Sequence, residues 1–327
     1  MSSKIEKTIA RQREKIAEGQ YYEAHQQLRV IASRYVKSSN WPAAIDLLYS
    51  GAQALLQAGQ GGSGGDLCLF LLEVYFKGEV KPEAGSKARL LSLLRAFPKG
   101  EPTRKRVVGE MIGWSAKYGE YPAGDPELHH VAGTVLAEDD EVYEAERHFI
   151  HGTRDSPEHL VKLEYDWYAE DSAHTAPLYA ARAVLPYLVA GNLRAANQSL
   201  LLFTSRLSQS APGLSVQEVS GASSDLRVYP SLPLLNFLGL LLLAVTKGSA
   251  DLFRMLRSHY KSHLDEVQGW NDALDQIGEM YFGIRIPSQG NPLMDMMSSM
   301  FMGGGGGAGA KKQSRRVEAP APAPGLD

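Results

Sequence analysis

The segment from Gly59 to Gly64 reads GQGGSG, a formal match to the glycine fingerprint that cradles a dinucleotide pyrophosphate. That chemistry needs a strand before the glycines and a βαβ unit around them. Here the preceding residues, AIDLLYSGAQALLQA, read as a helix, and no GK[ST] follows to make a phosphate loop. The expectation is a flexible loop between helices, with Asp66 capping the next one. His148 and His151 stand three apart and His259 and His263 four apart, so each pair can share a helix face. A zinc protease motif would place Glu directly after the first His of the second pair, where Tyr260 stands, and no third ligand has suitable spacing. Cys68 is the single cysteine and sits in the apolar run LCLFLLEV, so burial and inertness are expected, and no disulfide or cysteine zinc cluster can form. No GxSxG elbow occurs. The acidic run Glu138–Glu146 reads as a charged turn and helix start, and Arg104–Lys105–Arg106 is too short for a nucleic-acid patch. The tail's KKQSRR reads as a solubilising segment, with a nuclear-import-like or phosphate-binding patch as the alternative. These residues nominate no enzyme, cofactor or metal.

The elements that would carry these residues are helical. Starting from Tyr22, Ala24, Leu28, Ile31, Ala32 and Tyr35 recur at helical spacing. Further helices are expected over 41–58, 66–77, 84–97, 103–118, 125–137, 141–151, 156–170, 173–190, 192–208, 232–246, 249–262 and 266–282. Three helix starts echo one another: AEGQYYEAHQQL, EDDEVYEAERHF and VAGNLRAANQSL share a Gly or Asp turn followed by a fixed Ala. A small Ala lets a neighbouring helix approach closely, the logic of stacked tetratricopeptide-like helix pairs. The alternative is a compact all-α bundle. Residues 214–219 and 226–229 alternate apolar and polar around SGASSD, which fits a small β-hairpin that would need a helix or a partner to lean on; an ordinary disordered loop is the alternative.

Composition agrees with a packed chain: 44% hydrophobic and 22% charged residues among 327, which excludes global disorder. The net charge of −3 hides a gradient. Residues 1–120 carry 18 Lys and Arg against 12 Asp and Glu, whereas 121–300 carry 12 against 23, so two ends of opposite sign could steer two different partners. The N-terminus reads as an amphipathic helix, not a signal peptide. LPLLNFLGLLLLAV (232–245) is too short to span a bilayer and reads as a buried helix capped by Ser231. Five of nine methionines crowd into 294–302, ahead of Gly-rich and Pro–Ala runs expected to be linker.

The blocks GQYYEAHQQLRVIASRYVKS, QGGSGGDLCLFLLEVY, VYEAERHFIHGTRDS, SDLRVYPSLPLLNFLGLLLL and NPLMDMMSSMF resemble the scaffold subunit, the fourth, of the guided-entry-of-tail-anchored-proteins (GET) family. The resemblance covers about residues 5–301. It implies a right-handed α-solenoid of stacked tetratricopeptide-like helix pairs with a small β-hairpin in the C-terminal half. It also implies a cytoplasmic, non-catalytic scaffold without cofactor, nucleic acid or direct membrane insertion. Residues 1–150 would dock a targeting ATPase through Tyr21, Arg29, Arg34, Lys37 and Asp66, with Lys where the family often has Arg. Residues 151–301 would bind a ubiquitin-like subunit through Val216, Val219, Leu226, Val228 and Tyr229, and residues 302–327 would be a flexible tail. A co-chaperone would join indirectly. The competing expectation is a helical-repeat adaptor of another cytosolic complex, proteasome-lid-like or vesicle-coat-like.

Overall fold

The computed structural model describes residues 2–284 except 211–213, 215, 222–223 and 268. The expectations placed on the Met-rich segment 294–302 and on the tail lie outside the described residues. The first seven helices are α1 (Ser2–Ala17), α2 (Tyr21–Lys37), α3 (Trp41–Gln57), α4 (Gly61–Lys77), α5 (Ala84–Ala96), α6 (Thr103–Tyr118) and α7 (Pro126–Glu138). They continue with α8 (Val142–Ile150), α9 (Ser156–Tyr168), a 3-10 turn (Ala173–Thr175), α10 (Ala176–Val189) and α11 (Leu193–Ser210). Strands β1 (Gln217–Gly221) and β2 (Ser224–Val228) precede α12 (Pro233–Lys247), α13 (Ala250–His259), α14 (Lys261–Asp265) and α15 (Trp270–Phe282).

Most helices pack on the next in sequence and on the next but one: α1 on α3, α2 on α4, α3 on α5, α4 on α6, α5 on α7, then α7 on α9, α8 on α10 and α9 on α11. That ladder of neighbours is the pattern of a helical solenoid, in which no repeat can bury its apolar face alone. The echo residues carry it. Ala24, Ala145 and Ala196 are fully buried, and the turns before them pivot on Gly19, Asp140 and Gly191, all at positive φ. The apolar side chains form two clusters, one from Ile16 to Val135 and the other from Leu136 to Ile277, both within one compact unit that ends at Ile284.

Only Gly59 and Gln60 of the glycine segment lie in a turn between helices. Gly61–Gly65 form the first turns of α4, so the helix starts five residues earlier than the sequence pattern predicts and Asp66 is no cap. The reason is close packing. A Cβ on Gly64 would come within 2.6 Å of Leu56 Cγ, and one on Gly65 within 2.6 Å of Thr103 Cγ2 and 3.2 Å of Phe97 Cε1. Glycine's helix cost of about 1 kcal/mol is accepted because it lets α3 and the start of α6 close onto α4. Gly65→Val is therefore expected to destabilise the fold by about 1–3 kcal/mol, the range of core overpacking. Gly62→Ala, with nothing within 4 Å of its new methyl, should instead be neutral or stabilise by up to about 1 kcal/mol. Urea unfolding of the pair checks this; equal midpoints would refute the close-approach account.

Three further differences have local causes. Ser231 does not cap α12. Asn236 takes the helix start instead: its Oδ1 accepts from Tyr229 N–H and its Nδ2 donates to Tyr229 O, both at 2.8 Å. The helix expected over 249–262 breaks at Tyr260, whose ring packs 5.4 Å from Phe237. The last helix starts at Trp270, because Gly269 at φ 85° turns the chain there.

Cys68 is buried as expected, and burial pushes its thiol far above the ordinary range, which leaves it inert. One buried charge cluster braces the second core. Arg182 of α10 donates Nε and Nη2 to the Glu146 carboxylate of α8 at 2.5 and 2.6 Å, between the rings of Tyr143 and Trp167. Glu164 of α9 lies fully buried beneath, 3.2 Å from Arg182 Nε, and burial together with the neighbouring Glu146 pushes its carboxyl well above the usual range despite that guanidinium.

Candidate docking faces

Helix α2 buries Ala24, Leu28 and Ala32 and turns one flank toward α4. On that flank His25 and Arg29, one turn apart, meet Asp66 of α4. His25 Nε2 donates to Asp66 Oδ2 at 2.8 Å, Arg29 Nη1 donates to Asp66 Oδ1 at 2.5 Å, and Nη1 also reaches Oδ2. The Arg29 guanidinium lies 5.6 Å above the Phe70 ring. Burial by itself would raise the Asp66 pKa, but the hydrogen bonds from Arg29 and His25 outweigh it and hold the carboxyl below the ordinary value. A groove of about 460 Å³ opens beside this network, lined by Leu69, Phe70 and Phe76, with Arg106 and Glu110 of α6 at its edge.

The five residues expected at this face do not form one patch. Arg29 and Asp66 are in contact and Tyr21 is half-buried against the first core cluster. Lys37 is exposed at the last residue of α2. Arg34 is exposed too, but five residues past Arg29 places it about 140° around the helix, on another side. Sequence reasoning passed over His25, although its one-turn spacing from Arg29 was visible. It also passed over Tyr22, 78% exposed, and Val30, 51% exposed, which present apolar surface on the outer side of α2.

At the other end the hairpin has the register Gln217↔Val228 through Gly221↔Ser224, which pairs Val219 with Leu226. The strands run on to within two residues of each other, so the turn is shorter than SGASSD suggests. The hairpin leans on helices. Val216 packs against the second core cluster, and Arg227 Nη1 donates to Ser205 Oγ of α11 at 3.1 Å. Val228 is half-buried. Tyr229, 1% exposed, is an anchor: its hydroxyl pairs with Ser208 Oγ at 2.9 Å and donates to Thr204 O at 3.3 Å. Leu201 of α11, 60% exposed, lies one turn before Ser205.

Three histidines gather where α7 meets α8. His129 Nε2–H donates to Ala123 O at 3.0 Å, which leaves its Nδ1 to accept from His148 Nδ1–H at 2.9 Å, and the His151 ring lies 5.4 Å from that of His129. Gly124, at φ 111°, makes room, since a Cβ there would come within 2.9 Å of His129 Nε2. Among the described residues no group of three or more His, Cys, Asp or Glu is arranged to hold a metal. Burial, then the nearby His129, His151 and Arg147, push His148 down to about 4. Its folded pKa lies below its unfolded value, so its share of stability is complete above about pH 6.5 and lost as pH falls toward 4. At about 1.4 kcal/mol per pKa unit, stability should fall by about 3 kcal/mol across that window. His148→Gln should flatten that limb of a pH–stability curve; an unchanged curve would mean that His148 titrates normally.

An α-solenoid whose two ends carry separately built surfaces, one a charged network on α2 and α4 and one a hairpin braced on α11 and α12, is a protein of the helical-repeat class. The family model of Golgi to ER traffic protein 4 matches residues 38–301. The chain is 60% identical over 317 residues to Golgi to ER traffic protein 4 of Aspergillus fumigatus, covering 93% of this chain and 92% of that one. It is 36% identical over 305 residues to the protein of the same name from Schizosaccharomyces pombe, covering 93% and 96%. A solved structure titled as the crystal structure of C. therm. Get4 superimposes with a TM-score of 0.84 at 53% identity, covering 97% of this chain and all of that one. The chain belongs to the Golgi to ER traffic protein 4 family, and with it to the GET pathway of protein transport. No helix among the described residues is long and apolar enough to cross a membrane.

Proposed function

We propose that this protein is a non-catalytic cytoplasmic scaffold that bridges a targeting ATPase and a ubiquitin-like subunit, so that tail-anchored membrane proteins are handed over for insertion into the endoplasmic reticulum. The ATPase docks on the N-terminal half, residues 1–150, across α2 and α4. The ubiquitin-like subunit binds the C-terminal half, residues 151–301, against the hairpin, and brings the co-chaperone with it. The observation that carries this reading is the network of His25, Arg29 and Asp66. It holds a half-exposed ion pair in a fixed pose beside an apolar groove, and preorganised charge next to apolar surface is what a specific docking site needs. Tyr21 supports α2 from the core side, and Lys37 adds positive charge at its end. Arg34, on a different side of α2, contributes through the general basic field of residues 1–120.

Titration calorimetry of the full chain against each partner alone, and against one in the presence of saturating other, tests the bridge. Both should bind with one-to-one stoichiometry and without competition. Mutual exclusion of the two partners, or failure of either to bind, would sink the reading.

A further inference from the structure

The groove of about 460 Å³ beside the His25–Arg29–Asp66 network runs between the outer sides of α4 and α6. The two helices lie side by side and run the same way. A Cβ on Gly65, early in α4, would meet Thr103, the first residue of α6. At the far end Tyr118, the last residue of α6, donates its hydroxyl to Phe76 O at 2.8 Å. Along α4 the lining residues Asp66, Leu69, Phe70, Glu73, Phe76 and Lys77 share one side of the helix over about 16 Å. Leu69, Phe70 and Phe76 are only half-buried, so they leave an apolar floor. Arg106 and Glu110 of α6 form the opposite wall. Gly113 and Lys117 continue that side of α6 at the next two turns, and Lys117 Nζ lies 5.6 Å above the Phe76 ring.

A valley between two parallel helices, several turns long and apolar at its floor, has the shape that a third helix fills, with its axis about 8–10 Å from each neighbour. The wall is lowest at Gly113, which is exposed and has nothing within 4 Å of the place a Cβ would take; Gly109, one turn earlier, is open in the same way. Glycine is a poor helix former, and in α4 close neighbours within the chain account for Gly64 and Gly65. No neighbour in this chain accounts for Gly113, and a glycine serves where another backbone must come close. The rim charges say what kind of helix fits. Asp66 and Glu73 are already paired, with Arg29 and Lys77. Arg106, Glu110 and Lys117 form no ion pair among the described residues, so the charge left to a partner is two cations against one anion.

Resting on the reading that the targeting ATPase docks on this half of the chain, we propose that its docking element is an amphipathic helix with an acidic flank, laid along the valley between α4 and α6. Its apolar side seats on Leu69, Phe70 and Phe76, its backbone passes close to Gly113, and its acidic flank meets Arg106 and Lys117. The docking surface thereby extends from α2 and α4 onto α6, a helix on which the family resemblance named no residue.

The test is titration calorimetry of the full chain against the ATPase, with urea unfolding of each variant alongside. Gly113→Leu should leave the unfolding midpoint unchanged or raise it, because helix propensity improves and no neighbour is crowded, yet weaken ATPase binding at least tenfold. Arg106→Glu should weaken binding and Glu110→Lys should tighten it, each by a few-fold, with affinity for the ubiquitin-like subunit unchanged. A benzoylphenylalanine placed at position 110 should crosslink to a helical segment of the ATPase. Undiminished binding by Gly113→Leu, where Asp66→Lys abolishes capture, would overturn the valley and leave the docking reading standing. Opposite signs for Arg106→Glu and Glu110→Lys, or a crosslink to a strand or loop, would overturn the acidic helix. Capture indifferent to both Asp66→Lys and Gly113→Leu, or no capture by the unsubstituted chain, would overturn the docking face and the valley with it.

Discussion

Asp66→Lys is expected to weaken capture of the targeting ATPase by about 30-fold or more while leaving the ubiquitin-like subunit bound as before. Breaking one member of a charge pair that becomes desolvated in an interface costs about 2–5 kcal/mol, and about 1.4 kcal/mol is a factor of ten. The geometry adds a reason that charge reversal alone lacks. Asp66 is the acceptor for both His25 and Arg29, so a lysine there would repel Arg29 and release its guanidinium from the pose above Phe70. Arg29→Glu should do comparable damage from the other side of the pair. Lys37→Asp should show a smaller effect, mainly slower and salt-sensitive association, because Lys37 is exposed at the helix end. Asp66 is held below the ordinary carboxylate pKa, so it stays ionised throughout pH 6–8. Calorimetry of each variant against both partners decides the matter. Unchanged ATPase affinity for Asp66→Lys and Arg29→Glu in folded protein would mean that the docking face lies elsewhere.

The second large effect is expected at the root of the hairpin. Tyr229→Ala removes a buried ring and both hydroxyl contacts to α11, a loss in the range of about 3–5 kcal/mol for a buried aromatic. Asn236→Ala leaves the backbone N–H of Tyr229 without its partner, at about 1–3 kcal/mol if it stays buried, while the Tyr229 carbonyl keeps the Leu232 N–H. A two-stranded hairpin is marginal without support, so either change should free it from α11 and α12 while the helical signal stays nearly intact. Hydrogen exchange over 216–229 should accelerate, and affinity for the ubiquitin-like subunit should fall at least tenfold, with ATPase capture unaffected. Fast exchange together with undiminished binding would show that the hairpin is not the grip.

The helices were legible because their signal is local. Apolar residues three and four apart, with Gly or Asp turns between them, set the boundaries of most elements to within a residue or two, and the repeated Ala marked where neighbours approach. The family blocks were legible for the same reason, and matching relatives stand behind them. The hairpin's strands showed as alternation, but their shorter turn and their footing on Asn236 and Tyr229 did not, because those bonds join residues whose pairing follows no period.

The family resemblance named Arg29 and Asp66 as site residues, but nothing local said that the two touch. They lie 37 positions apart and meet only because α2 packs on α4. The same fact separates Arg34 from them, since the side of α2 that faces α4 is chosen by packing and not by charge. The glycine segment shows the limit most directly. Read alone, GGSGG has the propensity of a loop, whereas in the fold it starts a helix, with Leu56 packed against Gly64 and Thr103 and Phe97 against Gly65 too closely for a side chain. Periodicity and composition determined that this chain is a stack of helices, and the resemblance of its sequence blocks pointed to the family. Which residues meet across the stack, at the docking network, the histidine cluster and the groove between α4 and α6, was decided by tertiary packing, because those contacts join positions that no local pattern relates.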